Sequence, residues 1–123
     1  MSAARHLWRY TLVGATATAL HYVVLVAGVE LAGWPAWLGS GLGACVGAQV
    51  AYAGNRWFTF AHRGALGESW SRFMLTAVGG ALLGMAIVAL GVRLGAHYLI
   101  AQGLATVTSL GLTFAINRAW TFR

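Results

Sequence analysis

The chain has no lysine, one cysteine and only two acidic residues in its 123 positions. Charged side chains make up 8% of it, whereas a soluble domain of this size carries about a quarter. It is therefore not built to face water on all sides. A lone cysteine excludes a disulfide framework and a cysteine metal site within one chain. Cys45 falls inside an apolar run, where a small buried packing residue is expected. The acids are Glu30 and Glu68, and neither sits in the middle of an apolar run. The embedded carboxylate on which many membrane pumps depend is thus missing, which argues against a small multidrug exporter. No paired acids, metal-ligand spacing, nucleophile with an adjacent base, or Gly-rich phosphate loop between strand and helix is present. His6, His62 and His97 do not cluster. The expectation is a protein without enzymatic activity, cofactor or metal.

What the sequence does have is apolar length. Apolar residues make up 59% of the chain and the mean hydropathy is +0.72. Four runs, about 7–31, 37–53, 73–92 and 98–116, approach the roughly 20 residues that cross a bilayer. The alternation of a barrel strand is absent, so helices would satisfy the backbone in lipid. The fold class expected is an all-α integral membrane protein of four transmembrane helices in a single domain. The first run is longer than the roughly 7–15 residues of a signal core, so it reads as a permanent helix.

Charge sets the expected orientation. With four crossings, Arg5, Arg9, Arg56, Arg63, Arg72, Arg118 and Arg123 share one side, and Arg93 alone lies on the other. The positive-inside rule then places both termini in the cytoplasm. All six tryptophans fall at span ends, where indole rings favour the headgroup layer. A net charge of +6 is explained by this topology and by anionic lipid, not by nucleic acid.

The sequence also repeats itself. Asn55-Arg56-Trp57-Phe58-Thr59-Phe60 recurs 62 positions later as Asn117-Arg118-Ala119-Trp120-Thr121-Phe122. A shift of 63 lays Arg9-Tyr10 on Arg72-Phe73. Each half crosses twice, so the halves are parallel two-helix repeats about an axis along the membrane normal. Their basic signatures then meet on one face. Stepping back by four from Asn55 gives Ala51, Gly47, Gly43 and Gly39. The same steps from Asn117 give Thr113, Ser109, Ala105 and Ala101. Rows of small residues let helix backbones approach closely in lipid.

Two polar features stand out within the runs. Gln102, Thr106, Ser109, Thr113 and Asn117 share an arc of about 80° on a helix, a stripe through most of the membrane's depth. Thr11, Gly14, Thr18 and His21 form a shorter one, and His21 lies about 18 Å past Arg9 at 1.5 Å per residue. Such groups either hydrogen-bond between helices or line a hydrophilic groove that admits a polar headgroup. Gln49 is open to the same two readings. Arg9, Arg56, Arg72 and Arg118 sit at the inner helix ends. A guanidinium pairs two phosphate oxygens with its planar fork, and Asn55 and Asn117 offer amides to sugar hydroxyls. Topological anchoring explains each arginine singly and the repeated asparagine less well. At the outer end, Glu30 and Arg93 are placed to pair.

The four spans, the opening Arg9-Tyr10-Thr11-Leu12-Val13-Gly14 and the span-ending Asn-Arg-x-aromatic-Thr-Phe resemble the GtrA-like family. The resemblance runs from about Arg5 to Phe122. It implies work in bacterial cell-surface polysaccharide synthesis, in the cytoplasmic membrane. The activity implied is flipping of a polyprenyl-phosphate-linked sugar to the outer leaflet for a separate glycosyltransferase. The alternative is a non-transporting subunit that anchors or stabilises such an enzyme. The family's Asn-Arg site maps onto Asn55-Arg56 and Asn117-Arg118. Family members often carry a second asparagine four residues earlier; here Ala51 and Thr113 stand there. Four short helices enclose little room, so a homo-oligomer is expected.

Overall fold

The computed structural model describes residues 3–59 and 66–116. Within them the chain is helical: α1 Ala3–Ala32, α2 Ala36–Ala53, a π-helical turn Gly54–Thr59, α3 Leu66–Arg93 and α4 Tyr98–Ile116. Helices α1 and α3 begin before the apolar runs do. The stretch between the second and third apolar runs holds, among the described residues, the π-turn and the first turns of α3. Leu7–Ala32 and Trp70–Arg93 are long and apolar enough to cross a bilayer, and Tyr98–Leu112 is a shorter apolar stretch. Helix α2 carries four glycines in 18 residues, which lowers its apolarity.

The 62-residue repeat extends to the turns. Helices α2 and α4 start at Ala36 and Tyr98, and each is preceded three residues earlier by a glycine in the left-handed region, Gly33 (φ 73°) and Gly95 (φ 99°). Any other residue would be strained there. After α3, the Ala96 amide donates to the Gly91 carbonyl at 2.9 Å and the Gly95 amide to Val92 at 3.0 Å, which is a Schellman stop. Helix α1 ends in a wider closure, the Trp34 amide reaching the Gly28 carbonyl at 2.9 Å.

Both turns lie at the same end of the bundle. The Tyr98 hydroxyl, at the start of α4, donates to Glu30 Oε1 near the end of α1 at 2.8 Å. Glu30 thus takes Tyr98 and not the expected Arg93, which ends α3 exposed to its surroundings. The hydroxyl is a neutral donor already in reach, and no charge need be buried to satisfy the carboxylate. Tyr98→Phe is expected to lower the melting temperature only slightly, because water competes for this exposed bond; a thermal melt of the purified protein checks it.

Packing follows the repeat but swaps the small partner. In the first hairpin α2 supplies it: Gly39, Gly43 and Gly47 lie against Leu25, His21 and Ala17 of α1 so closely that a Cβ would meet α1 backbone oxygens. In the second hairpin α3 supplies it: Gly84 faces Ala105 and Ser109, and Gly91 faces Ala101. The Ser109 hydroxyl donates to the Gly80 carbonyl at 3.2 Å. The buried faces are thus the small-residue rows, and they hold α1 on α2 and α3 on α4. Helix α2 also packs on α3, whereas α1 and α4 meet mainly through side chains.

The outside is the reverse of a soluble protein. Leu and Val side chains are exposed along every helix, for example Val23, Leu42, Leu82 and Val107, the last at 71%. Several buried positions are polar: Ser40, Asn55, Arg56, Thr76 and Gln102. Soluble domains bury the large aliphatics; lipid removes that drive and leaves small and polar residues at the helix seams. Cys45 belongs to the outer face and is exposed, which corrects the expectation that it is buried. On α2 the seam is the Gly39–Gly43–Gly47 row, and Cys45 sits two residues off it on the far side. Gln49 lies on an outer face too, accepting from Trp70 Nε1 at 3.4 Å and donating to Met74 Sδ at 3.1 Å, so it ties α2 to α3.

Candidate functional site

A cavity of about 180 Å³ lies between the four helices. Helix α1 contributes Thr18 and His21, α2 Ser40, α3 Thr76, and α4 Gln102, Thr106 and Ser109. Alanines and glycines, among them Ala17, Ala44, Gly47, Gly80 and Ala105, form most of the remaining wall. Small side chains leave the space; the polar ones define what faces it. Five of the six residues expected to line a groove (Thr18, His21, Gln102, Thr106 and Ser109) therefore surround one volume. The sixth, Thr113, belongs to α4, but its side chain lies outside the described residues, as do Asn117 and Arg118.

A hydrogen-bonded chain crosses the cavity wall from α1 to α4. The Tyr22 hydroxyl and Thr106 Oγ1 share a bond of 2.9 Å, and Gln102 Nε2 donates to the same Thr106 oxygen at 3.1 Å. Gln102 is 1% exposed. Its Oε1 has no hydrogen-bond partner, and neither has His21 Nε2. His21 is otherwise held by a hydrogen bond to the Ser40 backbone and stands edge-on to Tyr22, ring centroids 5.6 Å apart. A buried acceptor left unanswered costs about 1–3 kcal/mol, and the fold leaves two polar atoms in this state at one cavity.

Arg56 is the surprise. Expected at a helix end, it lies just past the end of α2 and is 7% exposed, as is Asn55. The π-turn begins directly after α2, and Gly54 admits it by packing against Val13 of α1. Arg56 Nη1 donates to the Tyr52 hydroxyl one helical turn back at 3.4 Å, and its guanidinium lies 5.6 Å from the Trp57 ring centroid. Tyr52 in turn meets Phe73 edge-on at 5.4 Å, and Phe73 lines the cavity. The arginine is thus joined through two aromatic rings, Tyr52 and Phe73, to one end of the cavity. Arg9 and Arg72 are half-buried near the starts of α1 and α3, the ends that the up-and-down path brings to the same side as the π-turn. Trp57 itself is 60% exposed, as a ring at a membrane interface would be.

Several of these residues escaped sequence reasoning. Ser40 and Thr76 are isolated polar residues among Ala and Gly, with no stripe to mark them. A usable signal existed for Ser40: the 62-residue shift lays it on Gln102. Tyr52 is four residues before Arg56, the spacing at which helical side chains meet.

The family model of the GtrA/DPMS transmembrane domain matches residues 9–122. The chain belongs to that family. The match covers both repeats and both signature motifs, and it accords with the lipid-facing exterior: this is a membrane protein of a family associated with lipid-linked sugar synthesis. No curated protein matches the chain.

Proposed function

We propose that the protein moves a polyprenyl-phosphate-linked sugar across the bacterial cytoplasmic membrane, for use by a glycosyltransferase outside. The observation that carries this reading is the interhelical cavity, walled mostly by small apolar residues but reached by polar side chains from all four helices, and bordered at one end by an aromatic-framed arginine. A lipid-linked sugar has two parts that hydrocarbon rejects, a phosphate and a ring of hydroxyls. Arg56, with Arg9, Arg72 and Arg118, supplies cationic forks for the first, beside the amides of Asn55 and Asn117. Thr18, His21, Gln102, Thr106, Ser109 and Thr113 supply neutral partners for the second. The prenyl tail stays in lipid. No bond is made or broken, and movement runs down the gradient that consumption outside maintains. A second copy of the chain would widen a passage that one copy keeps narrow.

The test is translocation of a prenyl-phosphate glucose in vesicles holding only the purified protein. Accessibility of the sugar to an added enzyme is followed over time. Flipping above empty vesicles is the expected result. No flipping, together with recovery of a bound glycosyltransferase from native membranes, would establish the anchoring alternative instead.

Orientation has its own check. In a Cys45→Ala background, a cysteine placed at Ser71 is expected to react from the cytoplasmic side and one at Ala96 from the outside. Labelling of both from one side would end the parallel-repeat reading.

A further inference from the structure

Two exposed hydroxyls on the outer surface of the bundle are answered within their own helix. The Thr16 hydroxyl donates to the Leu12 carbonyl and the Thr108 hydroxyl to the Leu104 carbonyl, both at 2.9 Å. Gln49 is different. It is exposed on α2, four residues before the helix ends. Its Oε1 accepts one long bond, from Trp70 Nε1 at 3.4 Å, and its Nε2 gives one hydrogen to Met74 Sδ at 3.1 Å. Sulfur is a weak acceptor, and an amide has two hydrogens and two lone pairs to place. One of each has no partner among the described residues. Against lipid such a group is costly until it is bonded.

The rest of this face is patterned. Leu42, Cys45, Val46 and Gln49 are exposed on α2, and they share an arc of about 100° on a helix. Leu42, Cys45 and Gln49 are three and four residues apart, the spacing of a coiled-coil seam, where one polar residue among apolar ones fixes the register. Helix α2 is also the shortest of the four, with glycine at four of its 18 positions, so cover on its outer face spares the least apolar helix a contact with lipid.

We infer that this face of α2 is a contact between two copies of the chain, paired through Gln49 about a two-fold axis along the membrane normal. The chemistry of the amide selects the occupant. A two-fold contact sets the same residue against itself near the axis. A carboxylate or a guanidinium repels its own copy there. An amide donates to its copy and accepts from it, using the hydrogen and the lone pair left over. Copies that insert in the same sense lay α2 on α2 in parallel and in register. Cys45, one turn from Gln49 on the same seam, then meets its own copy too. The contact is argued from the outer surface of α2 and does not rest on the translocation reading.

The first experiment needs no substitution. The full chain in vesicles of phosphatidylethanolamine and phosphatidylglycerol is oxidised with copper phenanthroline and run on a non-reducing gel. A disulfide-linked dimer is expected, with a yield that holds as the lipid is diluted. Cys45→Ala should abolish it. Val107→Cys in that background places a thiol on the exposed face of α4, and should give at least about tenfold less, because a disulfide needs its Cβ atoms about 4 Å apart.

The second experiment reads energy transfer between donor- and acceptor-labelled copies carrying Ser71→Cys and Cys45→Ala in the same vesicles. Gln49→Leu is expected to raise the protein-to-lipid ratio at half-association about tenfold, the loss of the paired amides. Trp70→Phe removes only the bond within the chain and should stay within about twofold. Circular dichroism confirms that both variants are folded, and the cross-link of the unaltered protein remains decisive if one is not.

A Cys45 yield no higher than that of Val107→Cys, or one that falls as lipid is added, overturns the contact. So does unchanged association of folded Gln49→Leu. Equal weakening by Trp70→Phe overturns it as well, because Gln49 would then act within its own chain. In native membranes, a Cys45 adduct with a mass other than twice that of the chain would give the face to a different partner and overturn self-association. Neither experiment measures flipping, so failure of this contact and failure of the translocation reading are told apart.

Discussion

Gly43→Leu is expected to abolish the packed bundle. A Cβ at this position would press on the His21 ring and on the His21 backbone oxygen of α1. The ring can turn away; the backbone cannot. Overpacking of this kind costs about 1–3 kcal/mol even where side chains yield, and here the whole α1–α2 seam must part. The same movement would displace His21 from the cavity. The expected outcome is aggregation or a melting point too low to measure in detergent. Gly111→Leu is the matched reference: nothing lies within 4 Å of a Cβ there, and it faces outward from α4. Its melt should stay within about 0.5 kcal/mol of the parent, as surface changes usually do. Comparable melts for the two variants would show that the glycine row does not hold the helices together.

Arg56→Lys should reduce translocation about tenfold or more while leaving insertion and topology intact. Lysine keeps the positive charge that orients the chain. It loses the planar fork that spans two phosphate oxygens, and an ammonium is more strongly hydrated, so it suits a site framed by Tyr52 and Trp57 poorly. A tenfold change in rate corresponds to about 1.4 kcal/mol. The vesicle assay reads it directly, with labelling at Ser71→Cys confirming that the topology is unchanged. Wild-type flipping by Arg56→Lys would remove the arginine fork from the mechanism.

The sequence made the helical architecture legible because lipid imposes a coarse rule. A backbone in hydrocarbon must bond to itself, so four apolar runs imply four helices. The stripe on α4 was legible for a similar reason: Gln102, Thr106 and Ser109 recur at the helical period. What could not be read was the share of α2 and α3 in the cavity. Ser40 and Thr76 have Gly and Ala neighbours, and a lone polar residue carries no phase. The π-turn was hidden as well. It hydrogen-bonds at a different spacing from the α-helix before it, and nothing in the residue types of Gly54–Thr59 marks that change. Cys45 was misjudged because its position off the Gly39–Gly43–Gly47 seam, not its residue type, decides its exposure. The pairing of Glu30 went to Tyr98 because the hydroxyl of α4 reaches across the bundle end, a contact between helices distant in sequence.

The four helices are stitched in chain order, each to the next, and the circle is closed between first and last by two tyrosine hydroxyls, Tyr22 to Thr106 and Tyr98 to Glu30. The first and third joints are built on small residues, the second adds side chains such as Gln49 on Trp70 and Met74, and the fourth is a pair of clasps. A circle built this way parts at the clasps first, like a book opening away from its spine. An amphiphile whose tail never leaves the oil could slip its head in edgewise along that fore-edge, with no helix seam undone.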